Sequence, residues 1–114
     1  MILVIGSHFQ GKKEYVKNKL HLEDKDFSDD IYSSKPVMTD FEKCKEHIGK
    51  EEIELLLKKK AVISLEEGCR VLASDENERL RVENLNEALQ ILAKNADSVI
   101  RLYCGIPVAL KGEI

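Results

Sequence analysis

Five apolar residues, Met1-Ile-Leu-Val-Ile5, run directly into Gly6-Ser-His-Phe-Gln-Gly-Lys12, and no other feature of the chain constrains its fold as much. An unbroken apolar run with β-branched members suits a strand buried on both faces. The glycine-bounded stretch reads as a loop, and Lys12 to Leu20 reads as a helix with Tyr15, Val16, Lys19 and Leu20 on one side. The order is therefore strand, glycine loop, helix.

That loop fits the pattern G-x-x-x-x-G-K. Glycines at its two ends let the backbone wrap an anion with its N–H groups turned inward. The helix that follows aims its positive end at the same anion, and the lysine adds a mobile charge for the distal phosphoryl oxygens. The spacing predicts a nucleotide site formed by Gly6, Ser7, His8, Phe9, Gln10, Gly11, Lys12 and Lys13, holding ATP or GTP, with Lys12 also catalytic. Lys13 stands where a Ser or Thr hydroxyl would ordinarily hold Mg²⁺. A lysine cannot ligate the metal, so magnesium dependence should be weak.

Further along, residues 21–36 are polar and acidic and read as a solvated loop ending at Pro36. Thr39 or Asp40 can cap a helix carrying Phe41, Cys44 and Ile48, which Gly49 interrupts. A helix from about Lys50 buries Ile53, Leu56 and Leu57 and ends in a lysine run, 58–60, expected in solvent. Ala61 to Ser64 is a second buried strand. A helix capped by Asp75 runs to about Ala96, with Leu85, Ala88, Leu89, Leu92 and Ala96 on its buried stripe. Ser98 to Tyr103 is a third strand, and Val108 to Leu110 a short last one. Strands alternating with helices predict an α/β domain: a parallel sheet containing residues 1–5, 61–64 and 98–103, with helices on both faces.

Chain length and charge narrow the function. A chain of 114 residues, 43% apolar and 34% charged, holds one domain spanning residues 1–114. A net charge of −3 and the lack of Trp argue against nucleic acid or an anionic membrane as partner. The first apolar run has no basic residues before it and does not read as a signal peptide. Three widely spaced cysteines, Cys44, Cys69 and Cys104, suit reduced thiols, and a cytoplasmic location is expected. Cys69 and Cys104 each adjoin a glycine at a strand end, where small buried side chains are expected.

Ligands of parallel sheets sit at the carboxyl ends of the strands. The turn Leu65-Glu-Glu-Gly68 would emerge there, and a carboxylate from Glu66 or Glu67 could hold Mg²⁺ or take a proton from a substrate hydroxyl.

Segments 1–12, 62–69 and 92–106 together resemble the adenosylcobinamide kinase / adenosylcobinamide-phosphate guanylyltransferase family of cobalamin biosynthesis, especially its shortened members. That family has a P-loop after its first strand, a strand ending in [ST]-N-E-V-G, and an LA-x-x-AD-x-V unit leading to a closing GI. The resemblance implies a reduced three-layer P-loop NTPase fold. It matches Gly6, Gly11 and Lys12 to the phosphate loop and Ser64, Glu66 and Gly68 to the acidic turn, which favours Glu66 as the metal-binding and catalytic carboxylate. It implies ATP- or GTP-dependent phosphoryl transfer to a corrinoid alcohol, with Mg²⁺. Leu65 replaces the family's asparagine, a Gly-Arg pair is missing near Asn86-Glu87, and the guanylylated histidine has no counterpart.

Two functional readings stay open at this point: a nucleotide-dependent kinase, or a non-catalytic nucleotide sensor or partner subunit that kept the fold. The edges of so small a sheet would also gain from pairing in a homo-oligomer.

Overall fold

The computed structural model describes residues 1–7, 11–43, 48–65 and 76–113. One sheet organises them, in the order β2-β3-β4-β1-β5-β6. Its strands are β1 (Ile2–Gly6), β2 (Phe27–Ser28), β3 (Val37–Met38), β4 (Ala61–Leu65), β5 (Ser98–Tyr103) and β6 (Ile106–Lys111). The helices are α1 (Lys12–Leu20), α2 (Lys50–Leu57) and α3 (Glu76–Asn95).

β1 lies at the centre because its apolar residues need cover on both faces. It pairs in parallel with β4, Gly6 opposite Leu65, and with β5, Gly6 opposite Leu102. The segments expected to share one sheet do share it. Alternate residues then feed two cores. Val4, Val37, Ile63 and Ile100 pack with Val16 of α1 on one face. Leu3, Met38, Val62 and Val99 pack with Ile53 and Leu56 of α2 and with Leu85, Ala88 and Leu92 of α3 on the other. The Met1 α-ammonium meets the Asp97 carboxylate at 2.6 Å, and the Asp97 N–H donates to the Met1 carbonyl at 2.9 Å, which fastens the start of β1 beside that of β5.

The structure corrects the sequence reading in several places. β6 runs antiparallel to β5, so the sheet is mixed. Cys104 and Gly105 make this reversal with φ of 50° and 78°, the two positive values that a tight hairpin turn requires. Cys104 is exposed there, not packed. Leu102 faces Pro107 in this two-residue hairpin, which turns the proline nitrogen to the open edge. The outer edge thereby loses a donor, a common way to blunt it.

The 21–36 loop is also more than a loop. It holds a 3-10 turn at Asp24–Asp26 and the strand β2. Where a helix is expected from Thr39 or Asp40, the described residues form a 3-10 turn, Phe41–Lys43, and the rest of that expectation falls on residues 44–47, which lie outside the described part. Asp40 adopts a φ of 53°, which turns the chain sharply as it leaves β3. Lys59, expected in solvent, is buried and donates to the carbonyls of Ser33 at 2.9 Å and Lys35 at 3.1 Å. No described helix is long and apolar enough to cross a membrane.

Candidate functional site

The two central strands hand the chain to opposite faces of the sheet. β1 is followed by α1 on one face, and β4, its neighbour, is followed in sequence by α3 on the other. Such a switch opens a crevice beyond the carboxyl ends of the two strands. Gly6 and Leu65, the last residues of β1 and β4, are register partners at that mouth.

α1 begins at the crevice. Gly11 precedes it with φ 78°, in the left-handed region where glycine is at ease. Among the described residues nothing lies within 4 Å of where its side chain would start, so the backbone conformation is what selects glycine here. The N-cap Gly11 has no side chain to cap the N-terminus of α1, and the leading N–H groups of a helix are natural partners for an anion. Lys12 arches back so that its Nζ donates to the Ser7 carbonyl at 2.7 Å. Burial pushes the Lys12 pKa below the ordinary lysine value, against the opposing pull of Glu42 and Asp40.

Glu42 is the residue that sequence reasoning missed. Its Oε1 accepts the N–H of Leu65 at 2.9 Å, and the Arg81 guanidinium of α3 holds its backbone carbonyl at 3.0 Å. The other oxygen, Oε2, is buried with no hydrogen-bond partner among the described residues. Burial raises the Glu42 pKa above the usual carboxylate value and nearby Asp40 adds to this, while the Leu65 N–H and Lys12 oppose it. A carboxylate held at one oxygen and unpaired at the other among the described residues, under the electrostatic influence of Lys12, can accept a proton or bind a cation. The only sequence signal was an acidic residue just past a short apolar pair, which a helical reading of 41–48 absorbed.

The other expected residues divide. Gly6, Ser7, Gly11 and Lys12 gather at the crevice. Lys13 is drawn aside: its ammonium is 3.5 Å from Asp24 and 5.2 Å from the centre of the Phe27 ring. Asp24 is also ion-paired to Lys17. His8, Phe9, Gln10 and Glu66 lie outside the described residues, as do Glu67 and Cys69. Among the described residues no three potential metal-ligating side chains cluster. Along the flank of α1, Gly11, Glu14, Tyr15, Asn18 and Lys19 line a pocket of about 520 Å³ with Gly105 of the β5–β6 turn.

Compared with protein-family models and with curated proteins, the chain finds no match to either.

Proposed function

We propose that this chain binds a nucleoside triphosphate at the crevice and passes its terminal phosphoryl group to an alcohol. The observation that carries this reading is that Lys12, at the Gly11 start of α1, and Glu42, whose buried Oε2 has no hydrogen-bond partner among the described residues, feel each other's charge. The sheet order, with β4 between β1 and β3, suits a reduced three-layer P-loop arrangement. Backbone N–H groups of the glycine loop would hold the phosphates, and Lys12 would leave the Ser7 carbonyl for the distal oxygens.

Mg²⁺ in such sites is held by one or two carboxylates and the substrate phosphates, not by a protein cage. Glu42 and, beyond the described residues, Glu66 fit that demand, and the ion would offset phosphate charge during transfer. The free oxygen of Glu42 alternatively takes the proton of the attacking hydroxyl, a role that its raised pKa suits. The resemblance of the terminal segments to adenosylcobinamide kinases suggests a corrinoid alcohol as acceptor.

One observation favours a second reading. Lys13 faces Asp24 and Phe27, so the residue after Lys12 offers no metal ligand, as befits a sensor that binds nucleotide without turnover. Steady-state assays with ATP and GTP, with and without cobinamide, distinguish the two. Phosphorylated cobinamide supports the kinase. Saturable binding with no product supports the sensor, and no binding at millimolar nucleotide removes both.

A further inference from the structure

Among the described residues, the large apolar side chains that stay exposed are, Tyr32 apart, confined to two neighbouring features. One is a ridge on α3 made by Leu80 and Ile91, each about half exposed. They stand about three helical turns apart and so fall on one line along the helix. The other is a stripe on the β5–β6 hairpin. Ala109 packs into the core on the α1 side of the sheet, so Val108, next to it in the strand, faces the α3 side. Ile106 shares the parity of Val108, and its cross-strand partner Tyr103 points the same way. Leu110 continues the stripe and meets Leu3, Leu89 and Ala93 in a groove of about 640 Å³ between α3 and β6. Exposures from 41% at Val108 to 64% at Ile106 show that no described helix covers this stripe.

Ridge and stripe match in length. α3 crosses back between the parallel strands β4 and β5, so it runs against β5, as β6 does. Lys111 donates to the carbonyls of Ala93 and Lys94, which sets the end of β6 level with the last turn of α3. From there back to Leu80 the helix spans roughly 20 Å, and from Lys111 back to Ile106 the strand spans roughly 17 Å. Ile91 thus stands near the level of Leu110, and Leu80 near that of Ile106. Between them on the ridge, Glu87 is exposed and makes no ion pair among the described residues. Between them on the stripe, Arg101 is the cross-strand partner of Val108.

A two-fold axis running along the groove would keep every level and exchange its two sides. Each ridge would then lie on the other copy's stripe, with Glu87 over Arg101, and both α3 helices would fill one layer between two sheets. Such a contact is isologous and closes on itself. With about half of each side chain showing, ridge and stripe present roughly 500 Å² per copy, the apolar share of an interface burying about 800 Å² on each side. Pro107 blunts the outer edge of β6, so the face is the open route to a second copy.

We propose that this chain forms a two-fold dimer in which Leu80 and Ile91 of each copy pack on Ile106, Val108 and Leu110 of the other. Sedimentation equilibrium at about 100 µM, above the weakest dissociation constants usual for an interface of this size, should find twice the chain mass. Ile91→Glu and Leu110→Lys each place a charge at a position exposed in the monomer. Their urea unfolding should stay near that of wild type, while dimerisation should weaken at least about tenfold in each. Mixing the two variants tests the pairing itself. In the mixed dimer one contact restores Ile91 on Leu110, and the other sets the new carboxylate against the new ammonium. The mixture should therefore associate at least about tenfold more tightly than either variant alone. Glu87→Arg, a surface change that would set two cations together, should also weaken the dimer and serves if either other variant fails to fold. A wild-type monomer at that concentration overturns the proposal, as does a dimer that none of these changes weakens. Loss in both variants without recovery on mixing overturns the pairing of ridge with stripe.

Discussion

The Glu42 carboxylate accepts the backbone N–H of Leu65 at 2.9 Å, just past the point where β3 leaves the sheet. The last β3–β4 pair is Met38 with Val62, so the side chain stands in for strand backbone at the end of β4. One oxygen does structural work, and the other is buried without a hydrogen-bond partner among the described residues.

Glu42→Ala should therefore cost about 1–3 kcal/mol, because the N–H of Leu65 loses its acceptor in a buried setting. Glu42→Gln retains an acceptor and should cost less. The pH dependence has a definite sign. A carboxyl whose pKa is raised by folding binds more protons when native, so its contribution is fullest in acid. That contribution is lost as pH rises from the ordinary carboxylate pKa through the raised one. Wild type should lose stability relative to Glu42→Gln across that interval in urea unfolding. A difference that stays flat with pH would mean that its burial leaves no thermodynamic trace.

Lys12→Ala should weaken triphosphate binding by about tenfold or more, the value of one charge-assisted contact. Monophosphate binding should change less, since the ammonium serves the distal oxygens. Burial lowers the Lys12 pKa, so the free protein loses this charge at a lower pH than an exposed lysine would allow. Triphosphate affinity should accordingly begin to fall early in an alkaline titration, and this early fall should vanish in Lys12→Ala. Equal losses for mono- and triphosphate would place the ammonium elsewhere.

Much of this frame was legible in the residues. The run Met1 to Ile5 demands burial on both faces and takes the centre of the sheet, and α1 spans Lys12–Leu20 as its glycine start and apolar side suggest. What escaped was governed by distant partners. β2 and β3 are two residues each, too short for any period to register, and exist because β4 offers β3 a ladder and β3 in turn offers one to β2. The direction of β6 depends on the backbone angles of Cys104 and Gly105, and the pairing of Glu42 spans 23 residues that no spacing rule connects.

Lys59 shows the same limit and gives a further prediction. Its neighbours Lys58 and Lys60 are exposed, as a charged helix end suggests, yet Lys59 ties together the carbonyls of Ser33 and Lys35. Lys59→Met would keep the apolar stem and orphan both acceptors, at about 1–3 kcal/mol. Burial lowers the Lys59 pKa, so the native state sheds this proton before the unfolded state does. Wild-type stability relative to Lys59→Met should then rise with pH from the lowered value up to the ordinary lysine pKa. Thermal unfolding at neutral and alkaline pH measures both effects, and a variant as stable as wild type would show that water replaces the ammonium at no cost.

Lys13 separates the two proposed functions. Its ammonium rests between Asp24 and Phe27, surface contacts that contribute little to stability. Lys13→Ser should thus leave the unfolding free energy within about 1 kcal/mol of wild type. It would, however, set a hydroxyl directly after Lys12, where phosphate-loop enzymes hold Mg²⁺. The magnesium dependence of triphosphate binding should be weak in wild type and stronger in the variant, as read from paired titrations with and without the metal. Turnover appearing only in Lys13→Ser would mark wild type as a sensor whose remaining site, Glu42 included, still fits the chemistry. Wild type that already binds roughly tenfold more tightly with Mg²⁺ and turns over readily would show that Glu42 and the phosphates suffice, and the kinase reading would stand without help from position 13.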